Sequence, residues 1–322
     1  MSRILIIRPS SLGDIVHAMP IVHDLHRHRA GVEIDWVVEE PFTQLVAMHR
    51  GVRRVIPVAL RRWRSGVLAP STWLELRRFR RELKHERYDA VIDLQEQVKG
   101  ALIAWFARGP VHGPDRASVR EGTAALFYRH RYRINPQQHL IDRCRQLAGK
   151  ALGYAPVGPP RFELRVPKLA EASHRPYAVF VHATSRADKL WPESHWRALL
   201  EHFSRGGMSV VLPWGSEEES ARSERLARDV REAIVPTRQK LPQMAALLAG
   251  ARLVVGVDTG LTHLAAALST PTVALFTATD PRLAGVAIDG MHACDLGDEN
   301  ASIEPGEVIT AAAALLAAKG GG

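Results

Sequence analysis

Apolar residues along this chain fall into two patterns. Short, nearly unbroken apolar runs recur in the first half at Arg3 to Arg8, VEIDWVVEE, RRVIPVA and YDAVIDLQ. They recur in the second half at YAVFVHA, MSVVLPWG, EAIVP, RLVVGVD and TVALFT. Runs of this length, bounded by turn residues, predict strands buried on both faces. Between them lie segments with helical spacing, such as Asp14 to His28. In the segment after Pro70, Trp73, Leu76, Phe79 and Leu83 form an apolar stripe, leaving Arg77, Arg78, Arg81 and Lys84 on other faces. Strands alternating with helices predict an α/β fold with parallel sheets covered on both sides.

The alternation breaks once, in the Pro/Gly-rich stretch from Leu152 to Pro176, and then restarts. A chain of 322 residues is long enough for two cores. The expectation is two doubly wound domains, residues 1–160 and 161–322, facing a central cleft. In such sheets ligands bind beyond the carboxyl ends of the strands, so chemistry belongs in the loops that follow them.

Composition changes this picture in one respect. The formal net charge of +9 favours an anionic partner: a phosphorylated substrate, an acidic membrane surface or nucleic acid. Two cysteines, Cys144 and Cys294, are too few for a disulfide framework or a Cys-based zinc site. The apolar run at Ile4 to Ile7 is cut off by Arg8 and Pro9, unlike a signal peptide or a spanning helix, and the expected location is cytoplasmic. There is no Walker-type loop, no G-x-G-x-x-G fingerprint and no D-x-D pair.

Five segments carry candidate chemistry. After the first strand, Ser11-Leu-Gly-Asp14 fits a capping box, yet the same position suits a general base, with Gly13 letting a substrate approach the backbone. In VHATSRADKLWPESHW, Thr184, Ser185 and Lys189 either form a solvated turn or hold a diphosphate leaving group as its charge grows. In VVGVDTGLTHLAAAL a strand ends at Asp258, and Thr259, Gly260 and Leu261 open a helix whose free amides favour an anion, although Asp258 can also be a simple cap and His263 a packed helix residue. In LPWGSEEES, Glu219 either accepts ribose hydroxyls or is a surface acid. Arg61, Arg62 and Arg64 form a basic loop in RRWRSG.

Taken in order, SSLGDIVHAMP, DWVVEEPF, RVIPVALRRWR, YDAVIDLQ, HATSRADKLWPESHW, LPWG and VDTGLTHLAAAL resemble the lipopolysaccharide heptosyltransferase I family over nearly the whole chain. The resemblance implies a GT-B fold of two Rossmann-like domains. It also implies metal-independent, inverting transfer of L-glycero-D-manno-heptose from ADP-heptose to the inner Kdo of Kdo2-lipid A, with no cofactor, by a protein held peripherally at the inner face of the cytoplasmic membrane. Under it Asp14 is the base, and Thr184, Ser185 and the catalytic Lys189 surround the diphosphate. Glu219 meets the ribose, while Asp258, Thr259, Gly260 and His263 meet the heptose and phosphates. Arg61, Arg62, Arg64 and Arg120 meet the anionic acceptor. Two positions depart from the family pattern: Ser185 stands where a second threonine is expected, and Gln239 where a methionine near the adenine is expected. The alternatives are heptosyltransferase II, a sugar-nucleotide epimerase on the same fold, and a nucleic-acid-binding protein. The last lacks a recognisable motif or aromatic stacking positions among its basic residues.

Overall fold

The computed structural model describes residues 2–167 and 176–319. The chain divides into two compact units, Met1–Arg165 and Val166–Gly322. The end of the Pro/Gly-rich stretch, 168–175, lies outside the described residues.

The first unit contains six parallel strands, β1 (Arg3–Ile7), β2 (Glu33–Glu39), β3 (Arg54–Val58), β4 (Ala90–Asp93), β5 (Val111–Pro114) and β6 (His130–Tyr132). They lie in the order β3-β2-β1-β4-β5-β6. The second unit repeats the plan with β7 (Tyr177–Val181), β8 (Ser209–Val211), β9 (Ala233–Ile234), β10 (Leu253–Val257), β11 (Thr272–Phe276) and β12 (Ala293–Gly297). Their order is β12-β11-β10-β7-β8-β9, the same winding. All nine strands expected from the apolar runs are present. The polar or very short β5, β6 and β12 were not legible as strands: they are built from VHGP, HRY and ACDLG and stand at or next to a sheet edge.

The central strands are apolar because helices cover both faces. Ile4, Leu5, Ile6 and Ile7 are fully buried, as is Trp36 on the neighbouring strand. In the second unit Phe180, Trp191, Trp196 and Leu199 pack with Val255 and Leu275 into one core. Two local expectations need correction. The helix expected from Asp14 to His28 is two helices, Leu12–Ala18 and Pro20–His28, because Pro20 brings no N–H and starts a new first turn. The RRWR segment is not a loop: Arg61, Arg62 and Arg64 lie on the short helix Leu60–Ser65.

The winding fixes where a site can form. In each sheet the strand order reverses once, between β1 and β4 and between β7 and β10. Ile7 is paired with Asp93, and Val181 follows the position paired with Val255, so the loops leaving each pair start side by side. These loops carry Asp14 in one unit and Lys189 and Asp258 in the other.

Candidate active site

In the first unit the chain leaves β1 through Arg8 and enters the helix Leu12–Ala18 at Ser11. The capping box is formed: the Ser11 N–H donates to Asp14 Oδ2 at 2.9 Å, and the Ser11 hydroxyl donates to the same oxygen at 2.8 Å. The other carboxylate oxygen, Oδ1, lies 3.0 Å from Arg8 Nη2. The cap and the ion pair thus use opposite oxygens of one carboxylate, whose side chain keeps 30% of its surface exposed. Burial pushes the Asp14 carboxyl up, but Arg8, the two Ser11 hydrogen bonds and the charge of Arg120 outweigh it and hold it below the usual carboxylate range. Asp14 is therefore ionised and partly open to solvent, which is the form a base needs.

Sequence reasoning overlooked Arg8. It is 4% exposed, and its Nη1 donates to the carbonyl of Leu94, just past β4. Around it lie Gln95, whose Oε1 accepts from the Ser10 N–H at 3.2 Å, and Asp93, which accepts from the Tyr128 hydroxyl at 2.8 Å. Burial pushes Asp93 up to about 7, against hydrogen bonds from Tyr128 and the Gln95 N–H. Lys99 reaches within 3.5 Å of the Ser10 hydroxyl. The only local clue to Arg8 is a cation at the end of an otherwise apolar strand.

The four arginines expected at the acceptor are not equivalent. Arg62 already forks onto Glu75 at 2.6 Å and Glu40 at 2.9 Å. Arg61, Arg64 and Arg120 are exposed, and the charge of Arg120 reaches Asp14.

In the second unit Asp258 leaves β10 and collects its neighbours. Its Oδ2 accepts from Lys189 Nζ at 2.5 Å and from the Thr279 hydroxyl at 2.6 Å, and Oδ1 faces His263 Nε2 at 3.2 Å. The Thr184 hydroxyl lies 3.4 Å from the Asp258 carbonyl. Burial raises the Asp258 carboxyl, yet His263, Lys189 and Thr279 pull it far below the usual carboxylate range. Asp258 is not the cap of the following helix: Thr259 occupies that position and Gly260 begins the helix Gly260–Ala267. Thr262 turns back, its hydroxyl donating to the Val257 carbonyl at 2.7 Å. The structure thus brings Thr184, Lys189, Asp258 and His263 together, with Thr259 and Gly260 at the adjoining helix start and Thr279 as a member that sequence reasoning missed.

Ser185 stands exposed beside Thr184. Glu219 is engaged locally, accepting from the Gly215 N–H at 2.6 Å in the first turn of the helix Glu217–Ala227. Gln239 donates to the Thr237 carbonyl at 2.8 Å. His182, at the end of β7, is fully buried and faces Ser223 at 2.8 Å; burial pulls its pKa down to about 4, so it packs as a neutral ring.

An ionised carboxylate lies at the switch point of the first unit, and a lysine beside a helix start lies at that of the second. The profile of glycosyltransferase family 9 (heptosyltransferase) matches residues 76–306. The chain belongs to glycosyltransferase family 9, the heptosyltransferases. Lipopolysaccharide heptosyltransferase 1 of Salmonella typhimurium is 42% identical over 302 residues, covering 92% of this chain and 95% of the relative. Among solved structures, E. coli heptosyltransferase WaaC with ADP is similar at a TM-score of 0.89 and 38% identity, covering 97% of this chain and 99% of that one. WaaC with ADP-2-deoxy-2-fluoro heptose is similar at a TM-score of 0.85, again at 38% identity, covering 96% and 98%. This family 9 enzyme therefore has the two doubly wound units of a GT-B glycosyltransferase.

Proposed function

We propose that this heptosyltransferase moves L-glycero-D-manno-heptose from ADP-heptose to the inner Kdo of Kdo2-lipid A. The anomeric centre is inverted, no metal ion takes part, and the enzyme binds peripherally at the cytoplasmic face of the inner membrane. The observation that carries the reading is the Asp14 carboxylate, held ionised by Arg8 and Ser11 at the switch point of its sheet and still partly open. The solved WaaC structures with ADP and with a fluorinated ADP-heptose support the choice of donor.

In this reading Asp14 takes the proton from the acceptor hydroxyl as its oxygen attacks the anomeric carbon of heptose. The bond from that carbon to the diphosphate breaks, and the electron pair leaves with ADP. The growing negative charge is met by Lys189 and by the free amides at the start of the helix Gly260–Ala267. Lys189 rests on Asp258 until the donor arrives, so binding exchanges a carboxylate partner for a phosphate. Thr184, Ser185 and His263 meet the phosphates and sugar, and Glu219 the ribose. The exposed Arg61, Arg64 and Arg120 meet the anionic acceptor, while Arg62 must release Glu40 or Glu75 to join them.

The test is ADP release with purified enzyme, ADP-heptose and Kdo2-lipid A, run with and without chelator. Asp14→Asn is expected to lower kcat by about 10²–10⁴-fold with donor affinity retained. Full activity in that variant would reduce Asp14 to a helix cap, and loss of wild-type activity with chelator would remove metal independence. Transfer only to an already heptosylated acceptor would reassign the enzyme to type II.

A further inference from the structure

Among the described residues ten large apolar side chains are exposed, and seven of them fall between Val67 and Leu126 in the first unit. They occupy three neighbouring elements. Val67 and Leu68 precede the helix Pro70–His85, which carries Trp73 and Leu74 on its first turn. The helix Val98–Phe106 adds Leu102 and Trp105, and the turn Gly122–Phe127 adds Leu126. Side-chain contacts tie the three together. The Arg80 guanidinium sits 4.5 Å over the Phe106 ring, and the Trp105 ring lies 5.4 Å from Phe106 and 6.4 Å from Phe127. The Trp73 indole donates to the Val67 carbonyl at 3.0 Å, holding the preceding loop against the helix.

The apolar stripe of that helix is buried over only part of its length. Phe79 and Leu83 do enter the core, but Trp73 is 53% exposed and Leu68 92%. A helix that buries its stripe in its own domain has no reason to keep a tryptophan and a leucine in water. The same helix carries five Lys or Arg residues against two Glu, and Arg77, Arg78, Arg80, Arg81 and Lys84 are all exposed. Of the two acids, Glu75 is already taken by Arg62 and by the Trp63 indole.

Apolar side chains with two tryptophans, interleaved with cations, fit a bilayer interface. Indole rings settle at headgroup depth, leucines reach the acyl boundary, and arginines meet lipid phosphates. Exposed apolar side chains gathered on three packed, neighbouring elements point to an interaction site rather than ordinary surface. We propose that Val67, Leu68, Trp73, Leu74, Trp105 and Leu126, ringed by the arginines of the helix Pro70–His85, form the face by which the enzyme docks on an anionic lipid bilayer. The proposal rests on the reading above only in that the acceptor is lipid-linked. It adds which surface docks and that the contact is partly insertion, partly charge.

Docking is measured by flotation with vesicles of phosphatidylglycerol mixed into phosphatidylcholine and with vesicles of phosphatidylcholine alone. The wild type is expected to float with the anionic vesicles, and its tryptophan emission to shift to the blue. The pair Leu68→Ser with Leu126→Ser is expected to weaken binding at least tenfold, as is Arg78→Glu with Arg81→Glu, the latter only on anionic vesicles. These sites are exposed, so an unchanged Tm is expected in every variant. In a second arm, all variants are assayed with a de-acylated, water-soluble acceptor, where wild-type rates are expected. Wild-type enzyme that transfers to the soluble acceptor but does not float overturns the docking face and leaves the function standing. Enzyme that floats through these residues yet transfers to neither acceptor overturns the function and leaves the face standing. Undiminished flotation of both double variants overturns the proposal.

Discussion

Replacing Arg8 by Met tests the electrostatic account of Asp14 most directly. Arg8 Nη2 lies 3.0 Å from Asp14 Oδ1, with the arginine buried and the carboxylate partly exposed. At that distance, with an effective dielectric constant of about 20, the bare attraction is roughly 5 kcal/mol. Desolvation of the arginine and water at the open edge of Asp14 reduce this to the net value of a charge-assisted hydrogen bond, about 1.5–3 kcal/mol. With about 1.4 kcal/mol per tenfold, loss of Arg8 favours the protonated form of Asp14 by roughly ten- to hundredfold. The sign follows from the role. A positive charge beside a carboxylate lowers its pKa, so removing it raises that pKa, and the base is then lost to protonation at a higher pH than in the wild type. The acidic limb of the kcat/KM profile is expected to move to higher pH, with a smaller loss on the plateau above it. Arg8→Lys keeps the charge and is expected to bring the limb back towards its original position. The assay is ADP release across pH, with Tm and ADP binding measured on each variant, because Arg8 also holds the Leu94 carbonyl and neighbours Asp93 and Glu96. An acidic limb that stays in place in folded Arg8→Met enzyme would refute the argument.

The donor side yields two further expectations. Lys189→Met removes the cation expected at the leaving diphosphate and should lower kcat by about 10²–10³-fold, comparable to losing one preorganised donor, with the solvent-exposed acceptor arginines unaffected; an unchanged kcat in single-turnover measurements would place the lysine outside the reaction. Gly256→Ala brings a Cβ to 2.2 Å from the Thr262 hydroxyl and 3.1 Å from Val181, where β10 meets the helix that follows it. It should cost about 1–3 kcal/mol of stability, read as a lower Tm, and weaken ADP binding as Thr262 and the start of Gly260–Ala267 shift; wild-type ADP affinity in a destabilised protein would separate packing from binding.

Nine of twelve strands and the division into two doubly wound units were readable because burial on both faces writes itself into a continuous apolar run. Asp14 and Asp258 were also readable as candidates, since each follows such a run and lies in the first turn of a helix or just before one. The misses share a cause. β5, β6 and β12 are short and carry few apolar residues, so pattern alone cannot separate them from loops. The helical spacing of Trp73, Phe79 and Leu83 was readable, but not that Trp73 stands in solvent, because periodicity reports a face of the helix and not what covers that face. Thr279 joined the site from the loop after β11, a strand that had offered no chemistry of its own.

The amino-acid sequence by itself determined most of the elements, their alternation and the loops in which carboxylates and lysine occur, since those leave a pattern among residues a few positions apart. Only the tertiary structure decided which loops become neighbours. Lys189 meets Asp258 across 69 residues, and Arg8 meets Leu94 across 86, because parallel strands are joined by crossovers that bring distant segments to one end of a sheet. Whether Asp14 is merely a cap or a carboxylate held ionised by an arginine is therefore settled by strand order, through a residue whose own position is fixed from the far side of the crossover.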